Sequence, residues 1–296
     1  MPAALRRLGL ITCVLAPLAF PAGALADALS PESGGSPNAD KIDTLYWIIF
    51  TLGAIVFAGV MGALLYSIIK FRARKGAVAA QIRGNTRLEI GWTVGAALIL
   101  VVLAIVTFAF LPGIENPPNS DANGFQASSS QGILYASGPE KRLPPNGKAL
   151  NICVNGQQYI WRYTYARNCQ DAPLNSVFSY EEMVVPTGTT VTLDINSQDV
   201  DHSWWIPKLG GKFDAIPGYT NHTWFKIPAK LAGTVFSGQC AELCGRNHAN
   251  MRAQVHALSP SDFEAWLASK KQQIKEADAA AAISRKRLQA NPTASP

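Results

Sequence analysis

Residues that bind soft metals are concentrated in one short stretch towards the end of the chain. Cys240 and Cys244 lie four residues apart, and His248 and Met251 follow within the next seven residues. Thiolate sulfur combined with imidazole nitrogen selects copper, zinc or iron–sulfur clusters rather than hard cations. A Cys, a His and a weakly bound Met on one loop, with a second His from a distant strand, are the ligands of copper sites that transfer electrons.

His202, which follows the strand-like segment 191–196, is the candidate for the second histidine. One cysteine more than a mononuclear site needs would let two thiolates bridge two coppers, with one histidine terminal on each metal. Sharing the electron between two metals lowers the reorganisation that accompanies each redox change. The ligand set therefore favours a dinuclear copper site for electron transfer.

Three other interpretations of this stretch remain open. Cys240 and Cys244 could form a disulfide, the set could be a structural zinc site, or the residues could be filler in a protein core. A disulfide would leave His248 and Met251 without a role, and a structural zinc site would not need Met251.

Two apolar segments are expected to anchor the chain in a membrane. Residues 45–69 and 92–111 carry no charge, and each is long enough to cross about 30 Å of hydrocarbon as a helix. The loop between them contains six Lys and Arg residues against one acid, Glu89, and such a basic loop stays in the cytoplasm. Both ends of the mature chain should then face outward. The alternative is a pair of buried helices in a soluble protein.

The amino terminus has the pattern of a secretory signal peptide over residues 1–26. Arg6 and Arg7 precede an apolar run, and residues 24–26 read ALA, a small-residue cleavage site. Lipid attachment at Cys13 is the alternative. Residues 27–112 would then hold a mobile leader, rich in Ser, Pro and Gly, followed by the two-helix hairpin.

Residues 113–258 are expected to form one all-β domain on the outer side of the membrane. After a linker over 113–132, short alternating apolar runs are separated by Gly and Pro turns, which predicts a β-sandwich or Greek-key barrel. The predicted strands cover 149–154, 158–165, 183–185, 190–195, 222–227, 234–237 and 254–257. Residues 259–296 should add a helix over 262–288 and a disordered end from 291.

The formal net charge of +6 does not indicate a nucleic-acid-binding protein. Six basic residues lie in the loop between the apolar segments, where membrane topology explains them, and residues 113–258 contain eleven basic and eleven acidic residues. The outer domain is therefore neutral and lacks a basic surface for nucleic acid.

Two further cysteines, Cys153 and Cys169, are separated by 16 residues across a predicted hairpin. An oxidising compartment favours a disulfide between them. His222 and His256 lie in strand-like runs without neighbouring cysteines, and we interpret them as structural or surface residues.

Residues 238–251 read GQCAELCGRNHANM and resemble the CuA motif of subunit II of haem–copper cytochrome c oxidase. Residues 199–204 (DVDHSW), 209–218 (LGGKFDAIPG) and 88–93 (LEIGWT) support the resemblance, which extends over nearly the whole mature chain. The family has a two-helix transmembrane hairpin followed by a cupredoxin domain. The resemblance thus implies a membrane-anchored, cupredoxin-like Greek-key β-barrel with a C-terminal helical tail.

The resemblance also implies a role for each residue of the motif. Cys240 and Cys244 would bridge two coppers, His202 and His248 would be terminal ligands, and Met251 and the backbone carbonyl of Glu242 would be axial.

Two carboxylates gain further implied roles. The side chain of Glu242 would bind a magnesium ion shared with subunit I, since hard cations take oxygen ligands. Glu89 matches a carboxylate that admits protons to subunit I, although a charge there is also explained by solvation at the membrane interface.

The segment where the family accepts electrons differs in this chain. Tyr159 stands where the family usually has Trp, and Trp161 matches a later aromatic residue. Family docking surfaces are acidic, whereas this domain is neutral, and Asp199 is the best candidate for a docking residue.

The function implied is subunit II of a respiratory oxidase in the bacterial inner membrane, with the β domain on the periplasmic side. It would pass electrons from a c-type cytochrome through copper to haem in subunit I, where oxygen is reduced to water with proton translocation; subunit III is a further expected partner. Haem belongs to the partner because neither apolar segment contains His. The alternatives are a copper-less quinol-oxidase scaffold, excluded if the cysteines bind copper, a nitrous oxide reductase domain, and a copper chaperone.

Overall fold

The structure is a computed structural model that describes residues 30–73, 76, 78, 80–125, 143–169, 172 and 176–290. The chain divides into two compact units. Of the described residues, one unit contains 30–32 and those between 43 and 100, and the other contains 33–42 and those between 101 and 290. The signal-peptide prediction (1–26) and the disordered-end prediction (291–296) lie outside the described residues.

Two long helices are the main elements of the amino-terminal part: α1 (Pro37–Lys70) and α2 (Thr86–Glu115). Within the part of the chain that the structure describes, both are long and apolar enough to cross a membrane. Large apolar side chains such as Phe57, Ile69 and Phe108 are exposed to the surroundings. Exposed apolar surface of this extent is suited to lipid rather than water.

In the described part of the carboxyl-terminal domain, ten strands are arranged in two sheets of five. The strands are β1 (Leu150–Gln157), β2 (Ile160–Tyr165), β3 (Phe178–Tyr180), β4 (Glu182–Pro186), β5 (Thr190–Ser197), β6 (His202–Trp205), β7 (Phe213–Ala215), β8 (Asn221–Lys226), β9 (Val235–Cys240) and β10 (Arg252–Leu258). Their orders are β3-β2-β1-β5-β8 and β4-β10-β9-β6-β7. All pairings are antiparallel except β1 with β5 and β4 with β10.

The core lies between the two sheets, where inward side chains alternate with outward ones. Ile152, Val154, Leu193 and Val255 are fully buried there. A third helix, α3 (Pro260–Ala290), follows β10 and buries Phe263 in the same hydrophobic core. Its second half, from about residue 275 onward, is exposed. The predicted fold class, apolar helix pair, β-sandwich and C-terminal helix, is confirmed.

The first helix begins earlier than predicted. It starts at Pro37 rather than near residue 45, because proline suits the first helical position, where its missing N–H is not needed. Asn38 is buried and donates hydrogen bonds from Nδ2 to the carbonyls of Leu209 (3.2 Å) and Trp224 (3.0 Å). The expectation of a mobile leader is therefore wrong for this part of the chain.

Three strands, β3, β6 and β7, were not predicted. Each has only three or four residues, too few to show alternation in sequence. They form by pairing with other strands: β3 pairs with β2, β7 with β6, and β6 also with β9, which lies much further along the chain.

Candidate metal centre

The candidate metal ligands meet at one end of the sandwich because β6 and β9 are neighbours. His202 opens β6, Cys240 closes β9, and Trp204 pairs with Cys240 across the two strands. The loop from β9 to β10 carries the remaining ligands. Its ends are held together by a hydrogen bond of 2.9 Å from Cys240 N to Met251 O.

Six candidate ligand atoms converge there. The Sγ atoms of Cys240 and Cys244 are 3.9 Å apart. Cys240 Sγ is 3.8 Å from His202 Nδ1 and 3.2 Å from the carbonyl oxygen of Glu242. Cys244 Sγ is 3.5 Å from His248 Nδ1 and 3.8 Å from Met251 Sδ. His202, Cys240, Cys244 and Met251 are buried, and His248 is half-buried. Water is thus largely excluded from the sulfur atoms.

Cys240 and Cys244 are both free thiols, and ionisation of one thiol disfavours ionisation of the other. Burial raises the pKa of Cys240, but its hydrogen bonds with His202 and with backbone groups outweigh burial and lower the pKa to about 6. Burial and the charge on Cys240 raise the pKa of Cys244 to about 11. A cation between the sulfurs would stabilise both thiolates, because like charges this close repel.

The donor set fits a soft metal. Metal–thiolate bonds are about 2.3 Å in zinc sites, so one ion can contact both sulfurs when these lie 3.9 Å apart. Thiolate, imidazole and thioether donors suit copper, and Met251 adds a donor that a four-coordinate zinc site does not need.

Asp199 orients His202 from the loop between β5 and β6. Its Oδ1 accepts hydrogen bonds from His202 Nε2 (2.8 Å) and Val200 N (2.7 Å), and its Oδ2 accepts one from Gln158 N (2.6 Å). Partial burial raises the pKa of Asp199, but these hydrogen bonds outweigh it and lower the pKa to about 2. The carboxylate therefore stays ionised and directs the other ring nitrogen of His202, Nδ1, towards the sulfurs.

The predicted electron-uptake residues occupy different environments. Trp161 is fully buried with its ring edge-on to His202, at 5.8 Å between ring centroids, so a donor protein does not contact it. Tyr159 is half-buried and packs against Gly245. A Cβ atom added at Gly245 would lie only 2.7 Å from the Oη of Tyr159. Gly245 has φ +133°, so both backbone conformation and space require glycine there.

Gln158 is a site residue that the sequence did not indicate. Its Nε2 donates to the carbonyl of Cys244 at 2.6 Å, and its backbone N–H binds Asp199. It links two loops that are 86 residues apart in the chain. No motif marks it, since its role depends on tertiary packing alone.

The remaining predicted residues lie outside the sulfur cluster. The Glu242 side chain is exposed. Glu89 lies in the first turn of α2, and its Oε1 accepts a hydrogen bond of 3.3 Å from Asn85 N, so it helps to cap that helix. Cys153 and Cys169 form a disulfide in the structure.

An apolar helix pair followed by a β-sandwich that holds thiols, imidazoles and a thioether at one end defines a membrane-anchored, cupredoxin-like protein. Residues 150–258 match the family model described as cytochrome C oxidase subunit II, periplasmic domain, and residues 25–110 match that described as cytochrome C oxidase subunit II, transmembrane domain. The chain belongs to the cytochrome c oxidase subunit II family.

Two relatives compared by sequence agree with this assignment. The chain is 31% identical over 250 residues to a probable cytochrome c oxidase subunit 2 of Rickettsia bellii, covering 79% of this chain and 81% of the relative. It is 34% identical over 266 residues to cytochrome c oxidase subunit 2 of Thermostichus vulcanus, covering 80% and 77%. The crystal structure of the periplasmic domain of subunit II of cytochrome oxidase of Bradyrhizobium japonicum is 32% identical and covers 42% of this chain and 95% of that domain, with a TM-score of 0.37.

Proposed function

We propose that this chain is the electron-accepting subunit of a respiratory haem–copper oxidase. It takes single electrons from a c-type cytochrome at a dinuclear copper centre and passes them to haem in subunit I, where oxygen is reduced to water with proton translocation. The observation that carries the proposal is the convergence of two free thiols, two imidazoles, a thioether and a carbonyl within 3.2–3.9 Å of their neighbours.

These distances support the assignment of ligands. Cys240, Cys244, His202 and His248 would hold the copper pair, with Met251 and the carbonyl of Glu242 as further ligands. When bound, the copper pair supplies an acceptor that takes up and releases one electron at a time.

The protein contributes a dry and rigid surrounding. Asp199 holds His202 through its Nε2, while Trp161 packs against the same ring, so the imidazole cannot rotate away from the sulfurs. Gln158 fixes the carbonyl of Cys244. A site that does not move between redox states keeps the cost of each electron transfer low.

The donor would dock beside the cluster, over Tyr159 and Asp199. Because Asp199 already accepts four internal hydrogen bonds, its contribution to docking is long-range attraction rather than direct pairing. Trp161 lies beneath this surface, within the electron path but out of the donor's reach.

The remaining assignments complete the complex. The exposed Glu242 carboxylate would bind a magnesium ion shared with subunit I, and Glu89 would admit protons at the cytoplasmic side. We place the chain in the bacterial inner membrane beside subunits I and III, with residues 1–26 cleaved, 27–112 forming the hairpin, 113–258 the periplasmic copper domain and 259–296 the tail.

The test uses the oxidase assembled with this chain. The Cys244→Ser substitution should abolish haem reduction by a c-type cytochrome, because electron transfer through the copper centre is lost. Dithionite should still reduce the haem directly. His256→Gln is the matched control, since His256 lies on β10 outside the cluster. Normal cytochrome oxidation by the Cys244→Ser enzyme would contradict the proposal.

A further inference from the structure

The disulfide of Cys153 and Cys169 lies in a polar cluster on the outer face of the sheet that contains β1, β5 and β8. Cys153 on β1 is opposite Asp194 on β5, and Asp194 is opposite His222 on β8. The three side chains therefore form a row across three neighbouring strands. Cys169 reaches the row from the segment after β2.

Asp194 is the central residue of this row. Its side chain is only 7% exposed, yet it carries a carboxylate. Oδ1 is 2.8 Å from His222 Nδ1, and Oδ2 is 3.0 Å from Cys169 Sγ and 3.3 Å from Asn151 Nδ2. Buried carboxylates are retained where they have partners, and here one partner is a disulfide sulfur.

The sulfur contact differs between the two redox states. A disulfide sulfur has no hydrogen to donate, so the contact between Cys169 Sγ and Asp194 Oδ2 is not a hydrogen bond in the oxidised state. After reduction the Cys169 thiol could donate a charge-assisted hydrogen bond to the neighbouring carboxylate. Asp194 thus stabilises the dithiol relative to the disulfide.

From this arrangement we infer that Cys153 and Cys169 are a reversible thiol–disulfide exchange site, with Asp194 as the positioning residue that favours the reduced form. A structural disulfide needs no buried carboxylate against its sulfur. His222, with its side chain 27% exposed, holds Asp194 in place and links it to solvent. Both cysteines are half-buried, so a protein dithiol can reach them from the surface.

The reaction transfers two electrons from the dithiol. One thiolate of the reductant attacks Cys153 Sγ, and the S–S bond breaks. Cys169 leaves as a thiolate and takes a proton from solvent. The resulting thiol donates a hydrogen bond to Asp194. The second thiol of the reductant attacks the mixed disulfide, passes its proton to Cys153 and leaves the reductant as a disulfide.

The test measures the redox state of these two cysteines in the full chain. Detergent-solubilised protein is equilibrated with reduced and oxidised dithiothreitol at graded ratios, free thiols are alkylated, and the tryptic peptides 149–162 and 168–208 are weighed. These peptides exclude Cys240 and Cys244. The variants are Asp194→Asn, His222→Phe and, as control, Asp278→Asn, which removes an exposed charge on α3.

We expect Asp194→Asn to need a ratio of reduced to oxidised dithiothreitol at least about tenfold higher for half-reduction, because the charge-assisted hydrogen bond of the reduced state is lost. His222→Phe should shift the ratio in the same direction. If Asp194→Asn does not fold, His222→Phe provides the measurement instead. Asp278→Asn should behave as the unaltered chain. The same half-reduction ratio in all four proteins would overturn the inference and leave the disulfide as a structural link.

Discussion

Replacing Asp199 separates two roles that its position allows, orientation of His202 and attraction of a donor protein. We consider Asp199→Asn, which keeps the shape of the side chain and removes its charge. The carboxylate accepts four hydrogen bonds of 2.6, 2.7, 2.8 and 3.2 Å, and its side chain is 33% exposed. The matched control is Asp201→Asn, which removes the same charge from an exposed side chain two residues away.

The expected magnitude follows from these contacts. Hydrogen bonds to charged groups are each worth about 1.5–3 kcal/mol, but solvent competes for a partly exposed carboxylate and the amide keeps one acceptor. We therefore expect a loss of about 1–3 kcal/mol in the free energy of unfolding of the copper-free chain. Copper affinity should fall about 10–100-fold, the usual effect of losing a group that orients a ligand histidine.

The assays are urea unfolding and competition with a copper chelator, both on the full chain in detergent. Asp201→Asn should change neither quantity. If Asp199 served docking alone, Asp199→Asn would bind copper like the control and would only slow reduction by the donor at low salt. Equal copper affinities of the two variants would refute the orienting role.

Further predictions concern Gly245 in the loop from β9 to β10, Asn38 at the start of α1, and pH. Gly245→Ala should lower stability by about 1–3 kcal/mol and weaken copper binding, because the new Cβ meets Tyr159 Oη at 2.7 Å; unfolding and copper titration measure both. Asn38→Ala should lower the free energy of unfolding by about 1–3 kcal/mol, because two buried carbonyls lose their hydrogen-bond donor. Gln272→Ala, at an exposed position of α3, should leave the free energy of unfolding unchanged. Folding lowers the pKa of Asp199 from 3.8 to about 2, so its ionised form stabilises the copper-free chain fully above about pH 4–5. That stabilisation should disappear as pH falls through about 2 and should be absent from Asp199→Asn in unfolding measured across that range.

The candidate copper ligands could be proposed from sequence because four of the side chains lie within twelve residues and their chemistry is specific. His202 was accessible as well, since a histidine after a strand-like run is a plausible partner for a distant loop. Gln158 and the orienting contacts of Asp199 were not accessible. Both depend on which loops meet at the end of the sandwich, and that is fixed by strand pairing across long sequence separations.

The fold shows the same division. The apolar helices and the longer strands have strong periodicity or length, so their existence follows from sequence. The short strand β6 does not, although it carries His202, because Trp204 forms its ladder only when β9 lies beside it. The buried start of α1 was interpreted as a leader because its Ser, Pro and Asn content is typical of loops, and only packing against β8 identifies it.

The dinuclear copper centre is tested by the metal content of the purified chain. After reconstitution with copper, we expect two coppers per chain, a purple colour and a mixed-valence signal from one unpaired electron shared by both metals. Cys240→Ser should lose all three, because a bridging thiolate is removed. A colourless protein that binds a single zinc ion through Cys240, Cys244, His202 and His248 would contradict a copper centre at this site.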